Sequence, residues 1–192
     1  VGRHVSAMPS ETHSLFDESI NLPLALKEYE HTVLDWVEAI NSGSSLLNVQ
    51  GLSIYDPKEK ESIKTPERPP LENLDELPFV SEVYKRFLDI KDYYYGHSLY
   101  PLVVFDTSRG CPFKCTFCVY PQTFSGHTMR YRSPEHVADE FEFVAKELPE
   151  VETIMLEDDT FPVDRKRTLS VAKELIKRGN KIPYDSNARA DN

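Results

Sequence analysis

All three cysteines of this 192-residue chain lie within eight positions, in the stretch SRGCPFKCTFC that begins at Ser108. Cys111, Cys115 and Cys118 have the spacing C-x3-C-x2-C. Thiolates this close together can wrap one compact metal centre, and iron–sulfur clusters are held by cysteine thiolates. Three ligands on a four-iron cube leave one iron open to a substrate or a second cofactor. The spacing therefore favours a [4Fe–4S] cluster.

Two other interpretations of the cysteines are open at this point. His127 could complete a Cys3His zinc site, which zinc accepts, although the separation from Cys118 is long for a zinc loop. The cysteines could also be plain buried thiols. Lys114, Thr116 and Gly110 make that second alternative unlike the usual composition of a core segment.

Composition and charge describe a globular chain, with 40% hydrophobic and 28% charged residues and a net charge of −10. The negative charge argues against a nucleic-acid partner, because proteins bind nucleic acids through Lys and Arg. No apolar run approaches the roughly 18 residues of a membrane span, and no export leader is visible. We therefore expect a reducing, cytoplasmic setting, where clustered cysteines bind metals.

The C-terminal half alternates short apolar runs with helical patterns. Strands are predicted at Leu102–Ser108, Thr153–Glu157 and Ile182–Ala188, and helices start at Ser133-Pro134 and near Asp164. The predicted inward residues are Val137, Phe141, Val144 and Leu148 on the first helix and Leu169, Ala172 and Ile176 on the second, which Gly179 ends. This order predicts parallel pairing with right-handed crossovers. The cysteine loop, EDDTF and SNARAD would then share one edge of the sheet.

The first ninety residues carry separate signals. A helix is predicted from the stripe Val33, Trp36, Val37 and Ile40, ended by Gly43, and a hairpin from GLSIYD and SIKT. Gly2–Thr12 is interpreted as a strand end and a loop, and 81–90 as a helical piece. Pro66–Phe79 is rich in proline and predicts a linker. Because the chain starts without Met and ends after a strand, we expect a piece of a longer protein.

CPFKCTFC after a strand, with Phe117 before the last cysteine, resembles the cluster loop of the radical S-adenosylmethionine (SAM) enzymes. The resemblance implies a [4Fe–4S] cluster on Cys111, Cys115 and Cys118, with SAM chelating the open iron. Reductive cleavage of SAM would release methionine and a 5′-deoxyadenosyl radical. It also implies an electron donor such as flavodoxin or ferredoxin.

The resemblance also suggests SAM contacts at the ends of the next two strands. Glu157 and then Asp158 are the candidates for the SAM amino group, because a carboxylate accepts well from an ammonium. Further candidates are Ser186, Asn187 and Arg189, and the candidates for the cluster pocket are Phe117, Tyr120 and Gln122. The alternatives are helix capping for Asp158, Asp159 and Asp164 and ordinary loop polarity for the rest. No residue is assigned as catalytic.

The N-terminal part resembles the end of a cobalamin-binding domain joined to a radical SAM core, through GRHVS, KEYEHTVLDWVEAI, VQGLSIYD and RPPLENLDELPF. Members of that group carry Gly where this chain has Lys27, and the cobalamin-ligating D-x-H-x-x-G loop is absent from the chain. The expected fold class is α/β. Residues 1–65 would be a remnant of a B12-binding-type domain, 66–98 a linker, and 99–192 the first βα units of a partial TIM-type barrel. Cobalamin is expected only in a full-length parent.

The expected function is that of a radical SAM enzyme that methylates or rearranges a lipid or another small molecule. YPQTFSGHTMRYRS is similar to a segment of a radical SAM subgroup associated with hopanoid lipid biosynthesis. A lipid substrate would allow a location at the membrane periphery. The alternatives are a radical SAM enzyme that modifies tRNA and a zinc-binding module without catalysis.

Overall fold

The computed structural model describes residues 1–16 and 22–191. They group into two compact units, each of which combines separate stretches of the chain. The first unit contains Val1–Leu71 and Cys111–Thr128, and the second contains Glu72–Gly110 and the chain from Met129 onward. No helix of the described residues is both long and apolar enough to cross a bilayer.

The first unit contains an antiparallel sheet in the order β1-β2-β3, with strands Leu24–Ala25, Leu52–Asp56 and Glu61–Lys64. The hairpin predicted from GLSIYD and SIKT is therefore confirmed. Helix α3 (Glu30–Ser42) packs beside this sheet, and its core contains Ala25, Ala39, Val49 and Leu52. Gly43 ends α3 in the left-handed conformation, as predicted, with φ of 69°.

The stripe predicted for α3 is only partly correct. Val33 and Trp36 pack against the core, but Val37 and Ile40 are 48% and 60% exposed. Thr32 is fully buried in their place because its hydroxyl donates to the carbonyl of Gln50, at 3.1 Å. The helix is thus rotated toward a polar contact that the apolar pattern does not show.

Two short helices occupy the start of the chain, α1 (Arg3–Ala7) and α2 (Pro9–Ser14). The interpretation of Gly2–Thr12 as a strand end and a loop was wrong. A helix as short as α1, with no buried residue, has no apolar stripe from which periodicity could detect it. Pro9 at the first turn of α2 is the one local signal of a helix start.

The second unit is built on a parallel sheet in the order β4-β7-β8, with strands Leu102–Phe105, Thr153–Leu156 and Tyr184–Ser186. The predicted parallel neighbours are confirmed. Helix α5 (Pro134–Glu147) connects the first two strands, and α6 (Arg165–Lys177) connects β7 to β8. The α/β class expected from the sequence is therefore the class observed.

Helix α5 follows its prediction closely. The Ser133 hydroxyl accepts from the backbone N–H of His136 at 3.1 Å, and Pro134 fills the first turn. The four predicted inward residues are all buried: Val137, Phe141, Val144 and Leu148. They meet strand residues of β4 and β7 in one core.

Helix α6 exists where it was predicted, but its buried face is different. Leu169 and Ile176 are 49% and 76% exposed, whereas Val171 and Leu175 are 0% and 4% exposed. Arg167 is also buried, because its guanidinium donates to the backbone of Thr107. This polar contact at the first turn turns the helix away from the face that the sequence pattern indicated.

A short antiparallel pair, β5 (Ser108–Arg109) with β6 (Arg130–Tyr131), joins the two ends of the cysteine loop. Helix α4 (Val80–Phe87), which overlaps the helical piece predicted at 81–90, begins beside α5. There the backbone N–H and hydroxyl of Ser81 donate to the buried carboxylate of Glu140, at 3.0 and 2.8 Å. Arg132 pairs with the other oxygen of that carboxylate at 2.6 Å. This buried pair ties α4, α5 and the chain after β6 together.

Candidate functional site

The cysteine loop carries three half-buried thiols that form no disulfide with one another. The backbone N–H of Cys118 donates to the carbonyl of Cys115 at 3.1 Å, so these two residues share one tight turn. The N–H of Cys111 donates to the carbonyl of Gly126, also at 3.1 Å. Both ends of the C-x3-C-x2-C motif are therefore held by backbone hydrogen bonds within the loop itself.

A short π-helix, Pro121–Ser125, follows the last cysteine and forms the second half of the loop. The N–H and the hydroxyl of Thr123 both donate to the carbonyl of Val119, at 3.1 and 2.8 Å. Gly126 ends the turn with φ of 71°, and its N–H donates to the carbonyl of Pro121. Single-turn π-helices are rare in proteins, and those that occur are often found at functional sites.

The three predicted pocket residues differ in their surroundings. Phe117 is 86% exposed, and Tyr120 is 38% exposed with the guanidinium of Arg3 on its ring. Gln122 lies on the π-helix, and with its side-chain amide turned so that the nitrogen faces the loop, it donates to the carbonyls of Cys118 and Val119 at 3.2 Å. Gln122 thus contacts the loop backbone, whereas Phe117 presents a free apolar ring to solvent.

The side chain of His127 contacts the backbone of the cysteine loop, because its Nδ1 lies 3.0 Å from the carbonyl oxygen of Cys111. Zinc in a Cys3His site draws its four ligands to within about 2.3 Å of one ion. In the described part of the chain, no group of three or more His, Cys, Asp or Glu side chains is close enough together to hold one metal ion. The thiols of a four-iron cube bind separate corners and so stand further apart than the ligands of a single ion.

Asp158 lies two positions after the end of β7 and is fully buried. Its Oδ1 accepts from the backbone N–H groups of Thr107 and Ser108 at 2.5 and 3.1 Å. Its Oδ2 accepts from the hydroxyls of the same two residues at 2.7 and 2.6 Å. Both oxygens are thus occupied by the chain that leads into the cysteine loop.

Arg167 lies on the other side of this contact. Its Nη2 donates to the carbonyl and to the hydroxyl of Thr107, both at 2.8 Å, and its Nη1 lies 3.8 Å from Oδ2 of Asp158. Burial raises the pKa of Asp158, while the hydrogen bonds from Ser108 and Thr107 and the charge of Arg167 act to lower it. Burial lowers the pKa of Arg167, and Asp158 opposes that change. The pair is therefore a buried link between β4, β7 and α6.

The remaining predicted contacts lie at the ends of β7 and β8. Glu157 is exposed, and its backbone N–H donates to the carbonyl of Phe105 at 3.0 Å. Asn187 is half-buried, and its side-chain amide donates to the carbonyl of Asp158 at 3.2 Å. Ser186 is a half-buried residue of β8, and Arg189 forms a bidentate pair with Asp191 at 2.8 and 2.6 Å.

One segment of the chain, which includes the three cysteines, matches a known protein family. Residues 105–191, from the last residue of β4 to the stretch after β8, match the family described as the Radical SAM superfamily. We call residues 105–191 the radical SAM segment. The match includes the cysteine loop and the carboxyl ends of β7 and β8.

Sequence similarity to curated proteins extends beyond the radical SAM segment. The chain is 32% identical over 169 residues to an uncharacterized methyltransferase, PH0819, of Pyrococcus horikoshii. This alignment covers 85% of the chain and 34% of that protein. The chain is 29% identical over 165 residues to an anaerobic magnesium-protoporphyrin IX monomethyl ester cyclase of Rubrivivax gelatinosus, covering 84% and 28%. The chain therefore spans about a third of the length of these curated relatives.

The fold of the chain is also similar to a solved structure. That structure is the cobalamin-dependent SAM radical enzyme OxsB, with aqua-cobalamin and SAM bound. The TM-score is 0.71 at 24% identity, and the match covers 96% of this chain and 25% of OxsB. At this identity the likeness shows a shared fold.

Within the radical SAM segment, the structure brings some predicted residues together. Asp158 and Asn187 are in contact, but Asp158 uses both carboxylate oxygens for Thr107 and Ser108. We therefore correct its assignment from a direct SAM contact to a support of the strand ends. Asp158 does not cap a helix either, whereas Asp164 does, by accepting from the N–H of Arg167 at 3.0 Å.

The other SAM contacts stay predictions, and so does the expected position of the cysteine loop and Glu157 at one edge of the sheet. Sequence reasoning missed the residues around Asp158, which are Thr107, Ser108 and Arg167. It also missed the buried pair of Arg132 and Glu140. The signals that could have indicated the first group are a hydroxyl pair directly after a buried strand and an acidic pair after the next strand. An arginine on a helix gives no such signal, because surface arginines look the same in sequence.

Proposed function

We propose that the protein containing this chain is a radical SAM enzyme that holds a [4Fe–4S] cluster on Cys111, Cys115 and Cys118. The observation that carries this proposal is the set of three thiols on one loop, inside the segment that matches the Radical SAM superfamily. The residues fit the group, since cluster ligation needs several cysteine thiolates on a short stretch. None of these thiols is used in a disulfide with another.

When bound, the cluster and SAM supply reductive cleavage of SAM and a 5′-deoxyadenosyl radical for hydrogen abstraction. The residues of this chain contribute placement. Cys111 and Cys118 are held by the backbone hydrogen bonds of the loop. Glu157, exposed at the end of β7, supplies a carboxylate that suits an ammonium group. Ser186, Asn187 and Arg189 are the further proposed contacts, and Asp158 supports the chain before the loop.

The proposed substrate is a small molecule, with a lipid as the finer proposal and methylation or rearrangement as the reaction. The relatives support this range, since they are named as a methyltransferase and as a cyclase. The proposal includes an electron donor such as flavodoxin or ferredoxin, and a cytoplasmic location. It also retains the domain division at 1–65, 66–98 and 99–192.

Cobalamin is proposed for the full-length protein alone. The N-terminal resemblance and the cobalamin named for OxsB support it. The residues of this chain do not include a D-x-H-x-x-G motif, and we derive no cobalamin ligand from them. No step of the proposed reaction depends on cobalamin here.

The test is anaerobic reconstitution of the full-length protein with iron and sulfide, followed by an assay of 5′-deoxyadenosine with a strong reductant. We expect about four irons per chain, 5′-deoxyadenosine from the wild type, and loss of both in Cys115→Ala. Thr116→Ala, at the exposed neighbouring position, is the control and should match the wild type. Wild-type levels of 5′-deoxyadenosine in Cys115→Ala would refute the proposal. Retained zinc without iron would instead favour a zinc-binding module.

The reaction class has a separate test. SAM labelled in its methyl group is incubated with the reconstituted protein and a cell extract, which is then separated into lipid and aqueous fractions. Label in the lipid fraction supports lipid methylation, and label in the aqueous fraction supports another small molecule. Release of 5′-deoxyadenosine with no label in any product would favour rearrangement.

A further inference from the structure

The N-terminal helix α1 contacts the π-helix of the cysteine loop, and both belong to the first compact unit. The guanidinium carbon of Arg3 lies 3.2 Å from the centroid of the Tyr120 ring. At this distance the planar guanidinium stacks on the ring face, a geometry that Lys cannot reproduce. Tyr120 directly precedes the π-helix and is two positions beyond Cys118.

A second aromatic contact involves Phe124 of the same π-helix. The rings of Tyr29 and Phe124 have centroids 6.2 Å apart, within the range of favourable aromatic pairs. Tyr29 lies directly before α3, in the stretch KEYEH. The two contacts therefore connect the π-helix to GRHVS and KEYEHTVLDWVEAI, two of the four N-terminal stretches that resemble a cobalamin-domain end.

Helix α1 is itself fixed to the core of its unit. The hydroxyl of Ser6 accepts from the backbone N–H of Lys27 at 2.7 Å. Lys27 adopts the left-handed conformation, with φ of 54°. The hydrogen bond from its N–H to Ser6 holds that turn against α1. Arg3 thus projects from a helix that is anchored to the start of the N-terminal sheet.

The π-helix is hydrogen-bonded at its two ends to the backbone at or beside two of the three cysteines. At its start, the carbonyl of Val119, the residue after Cys118, accepts twice from Thr123. At its end, the carbonyl of Gly126 accepts from the N–H of Cys111. A group that fixes the π-helix therefore fixes the backbone next to Cys111 and next to Cys118.

We propose that Arg3 is a positioning residue for the cysteine loop, acting through its stack on Tyr120. The inference rests on the proposed function for the statement that this loop carries the cluster. Arg3 acts on the loop through this stack. Its role is to hold Tyr120, and with it the π-helix, so that the loop is ordered before the cluster is assembled.

The first test measures amide hydrogen exchange in the full-length apoprotein, on peptides that cover residues 119–126. The amides of Thr123 and Gly126 report on the π-helix because they form its hydrogen bonds. Replacing Arg3 by Met should speed their exchange about two- to tenfold, the loss expected for one cation–π contact. Arg165→Met, an exposed arginine of α6, is the matched control and should leave these amides unchanged. Unchanged exchange in Arg3→Met would overturn the proposal.

A double-mutant cycle separates the contact from a general loss of structure. Tyr120→Phe keeps the ring and should exchange like the wild type, whereas Tyr120→Leu should resemble Arg3→Met. If the two residues act through each other, Arg3→Met should add little in the Tyr120→Leu background. Additive effects of the two changes would overturn the proposal, even if both variants exchange faster.

The last readout is the rate at which a chelator removes iron after anaerobic reconstitution. We expect Arg3→Met to release iron about two- to tenfold faster than the wild type, with Arg3→Lys between the two. Faster exchange with unchanged iron release would show that Arg3 does not position the thiols, and would reject the inference. If the wild type binds no iron, the proposed function fails, but the exchange cycle still decides whether Arg3 holds the loop.

Discussion

Oδ2 of Asp158 lies 3.8 Å from Nη1 of Arg167, and both side chains also contact Thr107. Asp158 is fully buried, and Arg167 is 8% exposed. Two strand ends and one helix are therefore joined by charged groups inside the protein. A buried pair of this kind is strongly destabilising to break from one side, because the remaining charge is left without compensation.

Replacing Asp158 by Asn should lower the free energy of unfolding by about 3 kcal/mol. In the variant, the side-chain NH2 group would face hydrogen-bond donors of Thr107 and Ser108, which in the wild type donate to a carboxylate oxygen. Arg167 would also lose its counter-charge. Urea unfolding followed by circular dichroism measures the change. Asp185→Asn, at an exposed position of β8, is the control and should stay within about 0.5 kcal/mol of the wild type. Equal stability of the two variants would contradict the assigned role of Asp158.

The corrected face of α6 is tested by one substitution made at two positions. Leu175→Ala should lower stability by about 2–4 kcal/mol, because it leaves a cavity in the core. Leu169→Ala should change it by less than about 0.5 kcal/mol, since Leu169 is 49% exposed. The same unfolding measurement reports both. The reverse order would restore the helix face that the sequence pattern predicted.

Gly51 is close to α3 and has a positive φ of 81°. A Cβ at this position would lie 2.7 Å from the hydroxyl oxygen of Thr32, a separation that requires a shift of the neighbouring backbone or side chain. Gly51→Ala should therefore be destabilising through both the left-handed backbone and the steric clash. We expect a loss of about 2–3 kcal/mol by thermal or urea unfolding.

Gly43→Ala is the control for Gly51. Gly43 has a similar φ of 69°, and nothing lies within 4 Å of a Cβ built there. Its replacement should show the backbone term alone, about 1 kcal/mol. Equal effects of the two variants would mean that the close approach of Gly51 to Thr32 does not contribute.

His13 should make the stability of the first unit depend on pH. It is buried on α2, its Nε2 lies 3.2 Å from the Ser53 hydroxyl, and burial lowers its pKa. In the unfolded chain the pKa is about 6.5, so the unfolded state takes up the proton first as the pH falls. The stability contributed by neutral His13 is therefore complete above about pH 6.5 and is lost as the pH decreases toward the folded pKa.

The measurement is the free energy of unfolding between about pH 7.5 and 5, for the wild type and for His13→Gln. The wild type should lose up to about 1.4 kcal/mol more per pH unit than the variant, the slope for one proton. His97→Gln, at an exposed histidine, should keep the wild-type slope. Parallel pH profiles for wild type and His13→Gln would show that His13 is not the group responsible.

Much of the second unit could be predicted from the sequence because its signals are local. Ser133 and Pro134 mark the start of α5 through their own capping chemistry, and the four apolar residues of that helix repeat at helical spacing. Short apolar runs separated by helices lead to a parallel sheet through general rules of chain connection. The cysteine spacing likewise points to a cluster without any knowledge of the fold.

The tertiary structure decided the features that depend on residues far apart in the chain. The buried face of α6 is set by Arg167, whose partner Thr107 lies 60 positions away. Asp158 became a support of the strand ends because the donors of Thr107 and Ser108 surround it there. The contact of Arg3 with Tyr120 joins a helix without an apolar stripe to the cysteine loop. Such contacts are invisible in sequence, because periodicity and capping report only on neighbouring residues, whereas a buried polar group takes its partner from whatever the fold places beside it.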